Sequence, residues 1–314
     1  MTLDPDVIAL LDLIKAAGRP PMDSLPPAEA RLAFLAGRTV LQPEPAEVAS
    51  VRDFTIPGDI PVRLYRGIGT DPAAKLPCLV YYHGGGWVIG DLDSHDVLCR
   101  RIANDAGCLV LSVHYRLAPE HKFPAAFDDS VAAMHFAVEH ADQIGADPAK
   151  IAVGGDSAGG NLAAVVALRA RDEGGPKIAA QLLIYPVTDY HTPGTPSYEE
   201  NADGYGLTRA GMEWFWGHYL ADASHGTHPH ASPLRANNLA GLPPAYVVTA
   251  EYDPLRDEGE YYGQALQAAG VPTEIVRCDG VNHGFFFFVG IVDKSGAAMD
   301  AACAWINRTI GANI

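Results

Sequence analysis

A chain of 314 residues with 48% hydrophobic content can bury a large core, which excludes a disordered protein. Its formal net charge of −16 argues against binding to nucleic acid, whose phosphates require a basic surface, and also disfavours anionic membranes. No segment reaches the ~18 uninterrupted apolar residues of a membrane span, and the acidic opening Met1–Asp6 lacks the cationic start of a signal peptide, so we expect no membrane anchor and a cytoplasmic location.

The cysteines agree with a reducing compartment. They are odd in number and form no C-x-x-C pair, so we expect buried thiols and neither disulfide bridges nor metal ligands. The five are Cys78, Cys99, Cys108, Cys278 and Cys303.

Two stretches depart from an otherwise regular alternation of strands and helices. Residues 1 to about 45 predict short helices because Pro20–Pro21 and Pro26–Pro27 interrupt the pattern. Residues from about 190 to 230 contain the aromatic run Trp214–Trp216. Elsewhere, from about Val51 onward, the alternation predicts a mostly parallel sheet covered by helices on both faces.

The apolar run Leu79–Tyr82 predicts a strand that ends in a glycine-rich loop, His83-Gly84-Gly85-Gly86-Trp87. Three successive glycines expose backbone amides, which are suited to bind an oxyanion. A flexible loop would explain the glycines but not their position at the end of a strand. We therefore predict that Gly85 and Gly86 donate to an oxyanion.

A serine follows another predicted buried strand. Ile151–Val153 precedes Gly155-Asp156-Ser157-Ala158-Gly159, and a helical pattern begins directly after it. A serine on a tight turn from strand to helix projects its oxygen away from the backbone, and the flanking glycines avoid collisions of a Cβ with neighbouring elements. This pattern predicts that Ser157 is a nucleophile and that the amide of Ala158 is a third oxyanion donor.

A serine nucleophile needs a base and a group that orients the base, and both residue types follow later strands. Asp253 comes after the predicted strand 244–250, and His283 comes after the predicted strand 273–278. His283 is also the only histidine after Asp253. The order of serine, aspartate and histidine predicts a catalytic triad.

A second group of histidines, His225, His228 and His230, offers three imidazoles to a zinc ion. No carboxylate or cysteine lies within the tract, and Pro229 stiffens it. We expect solvated loop histidines, no metal site and no cofactor. His95 is expected at a helix N-terminus with no chemical role.

Five spaced motifs together resemble the microbial hormone-sensitive-lipase-like carboxylesterase family. The resemblance spans most of the chain and implies the α/β-hydrolase fold. It also implies that Ser157 is the nucleophile, His283 the general acid and base, and Asp253 the residue that fixes the imidazole. The motifs are His83-Gly84-Gly85-Gly86, Tyr115-Arg116-Leu117-Ala118-Pro119-Glu120, Gly155 to Gly160, Asp253-Pro254-Leu255-Arg256-Asp257-Glu258-Gly259 and Asn282-His283-Gly284-Phe285.

The same resemblance implies a domain organisation and a substrate class. Residues 1–45 and 190–230 would form a helical cap, and 46–189 and 231–314 the catalytic core. A cap that closes the pocket implies short- to medium-chain acyl esters as small-molecule substrates. Candidate pocket residues are Trp87, Tyr205, Phe215 and Phe285. Glu251 departs from the family pattern, in which a small residue is common at that position.

A homodimer is the remaining expectation. The last strand of a parallel sheet has a partner on one side only, and family members often cover that edge by dimerising. Glu274 and Arg277, within 273–278, offer opposite charges to a two-fold mate.

Two alternatives to an esterase remain open at this point. The same triad serves deacetylases and amidases. Non-catalytic small-molecule receptors share the fold but replace the catalytic histidine, whereas His283 is present here.

Overall fold

The computed structural model describes residues 2–311, except for the side chain of Thr39. Its centre is an eight-stranded sheet with the order β1-β2-β4-β3-β5-β6-β7-β8. The strands are β1 Ser50–Ile56, β2 Ile60–Arg66, β3 Leu76–Tyr82, β4 Leu109–Val113, β5 Ala146–Asp156, β6 Gln181–Ile184, β7 Ala245–Tyr252 and β8 Thr273–Asn282. β1 and β2 pair antiparallel at one edge, and the other six strands are parallel to one another.

Helices cover the sheet, because a parallel sheet that is apolar on both faces must bury both of them. They are α1 Pro5–Ala16, α2 Pro27–Leu41, α3 Asp96–Asp105, α4 Ala125–Glu139, α5 Ala141–Ile144, α6 Ala158–Asp172, α7 Pro196–Glu200, α8 Arg209–Tyr219, α9 Arg256–Ala268 and α10 Asp293–Ile310. The predicted mostly parallel α/β architecture is thereby confirmed. No helix within residues 2–311 combines the length and apolarity that a membrane crossing requires.

Burial explains the sequence of the strands. Every residue of β3 is buried, because the strand lies inside the sheet with helices on both faces, and it is therefore almost continuously hydrophobic. β1 lies at an open edge and exposes most of its residues. All five cysteines are free thiols, and all but Cys278 are buried.

Several strands extend beyond their predicted bounds, β8 among them. It continues through Asp279–Asn282, past the predicted end at Cys278. The pairing with β7 shifts register between Ala250 and Tyr252, and this irregularity carries the strand on to Asn282. His283 therefore follows the strand directly.

Candidate active site

The carboxyl ends of three parallel strands, β5, β7 and β8, bring Ser157, Asp253 and His283 together. Ser157 follows β5, Asp253 follows β7 and His283 follows β8. His283 Nε2 lies 3.0 Å from Ser157 Oγ, and His283 Nδ1 lies 2.7 Å from Asp253 Oδ2. Asp253 is completely buried, whereas Ser157 keeps 8% of its surface exposed. A base thus contacts a potential nucleophile and is itself oriented by a carboxylate.

Ser157 occupies a strained turn. Its φ of 55° and ψ of −119° are rare for a residue with a side chain. The conformation is held because its amide donates to the carbonyl of Ile184 at 2.8 Å. A Cβ at Gly155 or Gly159 would lie 2.3 or 1.8 Å from the carbonyl oxygen of Tyr82, so only glycine fits on either side of the turn.

The carboxylate of Asp253 is fixed on its second oxygen as well. The amide of Leu255 donates to Asp253 Oδ1 at 2.9 Å, while Oδ2 faces His283. The side chain of Asn201 donates to the Asp253 carbonyl at 3.2 Å. Because both oxygens have defined partners, the imidazole of His283 meets a rigid acceptor.

The glycine loop after β3 is a tight turn. The carbonyl of Gly85 accepts hydrogen bonds from the amides of Val88 and Ile89. The amides of Gly85 and Gly86 donate to no group among residues 2–311. Ala158 is the first residue of α6, where backbone amides lack partners inside a helix. The amides of Gly85, Gly86 and Ala158 are therefore available to donate hydrogen bonds to an oxyanion.

The four candidate pocket residues fall into two groups. Tyr205 is partly exposed, and its carbonyl accepts from the side chain of Asn282 at 2.8 Å, next to His283. Phe215 of α8 lies over the glycine loop, since a Cβ at Gly86 would be 2.1 Å from its ring.

The other two candidates are completely buried and pack against tyrosine rings. Trp87 stacks on Tyr219 with ring centroids 4.1 Å apart. Phe285 packs against Tyr185, with centroids 5.7 Å apart. Both residues have no exposed surface in this structure, and their contact with substrate stays a prediction.

Sequence reasoning missed the buried polar group beside the nucleophile. The carboxylate of Asp156 accepts from the hydroxyl of Tyr81 at 2.7 Å and from the amide of Gly84 at 3.0 Å. Burial alone would raise the pKa of Asp156, but the charge and hydrogen bond of His95 and the hydroxyl of Tyr81 outweigh it and lower the pKa below its ordinary value. The sequence shows an acid next to Ser157, but its partners are far away along the chain.

His95 lies at the start of α3 without capping it through its side chain. It faces Asp156 instead, with Nε2 3.3 Å from Oδ1.

Glu258 is a second buried acid that the motif alone does not explain. Its Oε1 accepts from the amides of Thr188 and Asp189, at 2.7 and 3.3 Å, and so joins α9 to the segment after β6. Burial raises the pKa of Glu258 well above its ordinary value and so favours the protonated form. Glu251, the departure from the family pattern, accepts from the amide of Gly280 at 2.7 Å.

The histidine tract near residue 228 makes aromatic and local contacts. His228 Nδ1 accepts from the amide of His230, and the ring of His230 stacks on Phe127 with centroids 4.6 Å apart. Within the described part of the chain, no group of three or more histidine, cysteine, aspartate or glutamate side chains is arranged to hold a metal ion.

Comparison with known proteins finds relatives that are named as ester hydrolases. Residues 79–287 match a family described by its alpha/beta hydrolase fold. The carboxylic ester hydrolase LipN of Mycobacterium tuberculosis is 45% identical over 293 residues, covering 90% of this chain and 77% of that protein. The ethyl acetate hydrolase of Pseudomonas putida is 38% identical and covers 94% of this chain and 95% of that protein.

A solved structure is equally similar. An ester hydrolase from the metagenome of Lake Arreo, in complex with a derivative of bipyridine phosphonate, superposes with a TM-score of 0.94. It is 45% identical, and the match covers 99% of this chain and 100% of that one.

Proposed function

The chain belongs to the α/β-hydrolase family and is a carboxylic ester hydrolase, and from this premise we propose that it cleaves short- to medium-chain acyl esters through an acyl-enzyme on Ser157. The observation that carries the proposal is the pair of hydrogen bonds that joins Ser157 to His283 and His283 to Asp253. An intact triad favours turnover over ligand binding alone.

The proposed reaction has two acyl-transfer steps. Ser157 Oγ attacks the ester carbonyl carbon while His283 Nε2 takes the serine proton, and the carbonyl oxygen becomes an oxyanion held by the amides of Gly85, Gly86 and Ala158. The intermediate collapses, the C–O bond to the alcohol breaks, and His283 returns the proton to the leaving alcohol. Water then attacks the acyl-enzyme in the same manner and releases the carboxylic acid.

Asp253 keeps the imidazole in the required tautomer and stabilises the imidazolium formed in each step. No step requires a metal ion or an organic cofactor.

The chain-length preference rests on the cap. We assign residues 1–45 and 190–230 to a helical cap over the core segments 46–189 and 231–314. Phe215 lies directly against the glycine loop, and the backbone carbonyl of Tyr205 lies beside Asn282. These contacts support both residues as candidates to contact the acyl or alcohol group of a substrate. A relative named ethyl acetate hydrolase is consistent with a small substrate.

We further propose a homodimer in the cytoplasm. The free edge of β8 supports the dimer, because an unpaired edge strand is a ready site for pairing. The five free thiols support a reducing compartment.

The experiment that tests this function is substitution of the nucleophile. Ser157→Ala should lower kcat for p-nitrophenyl butyrate by about 10⁴-fold or more, because the triad loses its nucleophile. The melting temperature should change little. The matched control is Ser130→Ala, a buried serine whose hydroxyl bonds to the Ala126 carbonyl within α4, and it should retain activity.

A series of p-nitrophenyl esters from acetate to long-chain acyl groups tests the substrate class in the same assay. We expect the highest kcat/KM for the short and medium chains. Hydrolysis of none of these esters by the wild-type chain would favour the receptor alternative, and faster cleavage of the matching anilides would favour an amidase.

A further inference from the structure

Gly84, the residue before the oxyanion donors, is held by buried side chains. Its amide donates to Asp156 Oδ1 at 3.0 Å and lies 3.2 Å from His95 Nε2. Its carbonyl accepts from Nδ1 of His83 at 2.8 Å. A Cβ at this glycine would lie 2.1 Å from Asp156 Oδ2, so the carboxylate packs directly against the backbone. We refer to Asp156 and His95 as the Gly84 clamp.

The orientation of His95 is itself determined. The hydroxyl of Ser94 donates to the carbonyl of Asp91 at 2.9 Å, which uses its only hydrogen. His95 Nδ1, 2.9 Å from Ser94 Oγ, must therefore donate to that oxygen. The opposite nitrogen, Nε2, is left facing Gly84 and Asp156, in a site from which water is excluded because both clamp side chains are almost completely buried.

The position of the clamp links the two halves of the reaction site. Asp156 is bonded covalently to Ser157, and Gly84 is bonded covalently to Gly85. One buried carboxylate thus sets the distance between the nucleophile and the loop that carries the oxyanion donors. A run of glycines has little conformational preference of its own, so an external constraint is needed to keep its amides in place.

We propose that Asp156 and His95 are positioning residues that hold the oxyanion hole in register with Ser157. This inference rests on the proposed serine mechanism. Its signature is a loss of transition-state stabilisation without a loss of ground-state binding, since neither clamp residue is placed to touch the substrate.

The first test substitutes the carboxylate. Asp156→Leu replaces the carboxylate acceptor with an apolar side chain of similar volume. It should lower kcat for p-nitrophenyl butyrate by about 10- to 100-fold, because the oxyanion donors would be displaced by about 1 Å. KM should change little, since substrate binding does not depend on the clamp. A phenethyl trifluoromethyl ketone, whose adduct with Ser157 carries an oxyanion, should bind more weakly by a similar factor. Asp156→Asn keeps an acceptor oxygen and should recover most of both losses.

The second test changes His95, the clamp residue at the start of α3, and leaves the turn that carries Ser157 unchanged. His95→Phe keeps an aromatic ring against Phe287, whose centroid is 4.8 Å from that of His95, but removes Nε2. We expect the same signature at smaller amplitude, because Asp156 still holds Gly84. This variant decides the question if Asp156→Leu does not fold.

Tyr65→Phe is the matched control. It removes a partly buried hydrogen bond of 2.8 Å to Asp96, the residue after His95, and should lower the melting temperature without changing kcat.

The outcomes separate the two proposals. Wild-type enzyme that is not inactivated stoichiometrically by diisopropyl fluorophosphate would contradict the serine mechanism itself. If wild-type enzyme reacts, unchanged kcat and unchanged ketone affinity in Asp156→Leu or His95→Phe would overturn the positioning role. A loss in Asp156→Asn as large as that in Asp156→Leu would also overturn it, because the charge and not the held loop would then be responsible.

Discussion

Glu258 is a buried acid with one unpartnered oxygen. Oε1 accepts two backbone amides, while Oε2 has no partner among the described residues. The raised pKa of Glu258 means that the folded protein binds a proton that the unfolded chain releases at lower pH. Folding stability is then complete below the ordinary glutamate pKa and falls as the pH rises from that value towards the raised one.

Glu258→Gln should remove this pH dependence, because an amide of the same shape keeps the Oε1 acceptor and does not ionise. Relative to the variant, the wild-type free energy of unfolding should fall by about 1.4 kcal/mol per pH unit above the ordinary glutamate pKa. Urea denaturation of both proteins at intervals from acidic to alkaline pH measures the difference.

The control for this prediction is Thr188→Val. It removes the hydroxyl that donates to the Glu258 carbonyl at 2.6 Å, a group that does not titrate in this range. Its loss of stability should therefore be independent of pH. Parallel pH curves for wild type and Glu258→Gln would contradict the assignment of a buried proton to this side chain.

The two kinds of site residue differ in how far the sequence predicts them. Ser157, Asp253 and His283 each follow a recognisable strand, and parallel strands end at one edge of the sheet, so their proximity follows from local patterns. Asp156, His95 and Glu258 interact through contacts between distant segments in the interior. Neither the hydrophobic periodicity nor the spacing of motifs predicts such contacts, because the burial of a side chain and its hydrogen-bond partners depend on how the elements pack.

At the scale of elements, helix α8 packs closely against the glycine loop. The ring of Phe215 occupies the space where a Cβ of Gly86 would lie. The helix is anchored at its C-terminal end by Lys122, whose ammonium donates to the carbonyls of His218 and Leu220 at 2.8 and 2.9 Å. A change in the loop is therefore resisted by the helix.

Gly86→Ala should lower kcat by about 10²-fold or more, because the added Cβ meets the Phe215 ring and the φ of +57° is unfavourable for alanine. The control is Gly69→Ala, which has a similar φ of +78° but no heavy atom within 4 Å, and it should leave kcat unchanged.

A double-mutant cycle isolates the contact in the Gly86 prediction. In a Phe215→Ala background, Gly86→Ala should cost less activity than in wild type, because the ring it meets is gone. Equal losses in both backgrounds would mean that backbone strain at Gly86, and not the fit to α8, is responsible.

Element positions were largely predictable from hydrophobic runs and glycine-rich turns, but the packing of the candidate pocket residues was not. Trp87 and Phe285 were predicted to contact substrate. In the structure their rings pack against those of Tyr219 and Tyr185. An aromatic residue in a motif gives no local signal of whether its ring faces the cavity or the core.

At the scale of the whole molecule, the sheet has one parallel strand with a free edge. β8 pairs only with β7, so its outer amides and carbonyls have no strand partner within residues 2–311. The charge complementarity that the sequence suggested is used inside the chain. Arg308 lies 2.8 Å from Glu274, and Arg277 lies 2.6 Å from Glu260. The proposed dimer must therefore depend on backbone pairing along β8.

Proline substitution at two adjacent positions tests this interface. Successive amides of a strand point to opposite edges, so of Ile275 and Val276 one donates towards β7 and the other towards the free edge. We expect light scattering at micromolar concentration to give about twice the 33.3 kDa chain mass for wild type. One proline variant removes the amide that faces the free edge, and it should give the monomer mass with a nearly unchanged melting temperature. The second variant removes the amide that pairs with β7, and it should have a lower melting temperature. A wild-type mass of one chain would reject the dimer, and a dimer that survives in both variants would assign it to another surface.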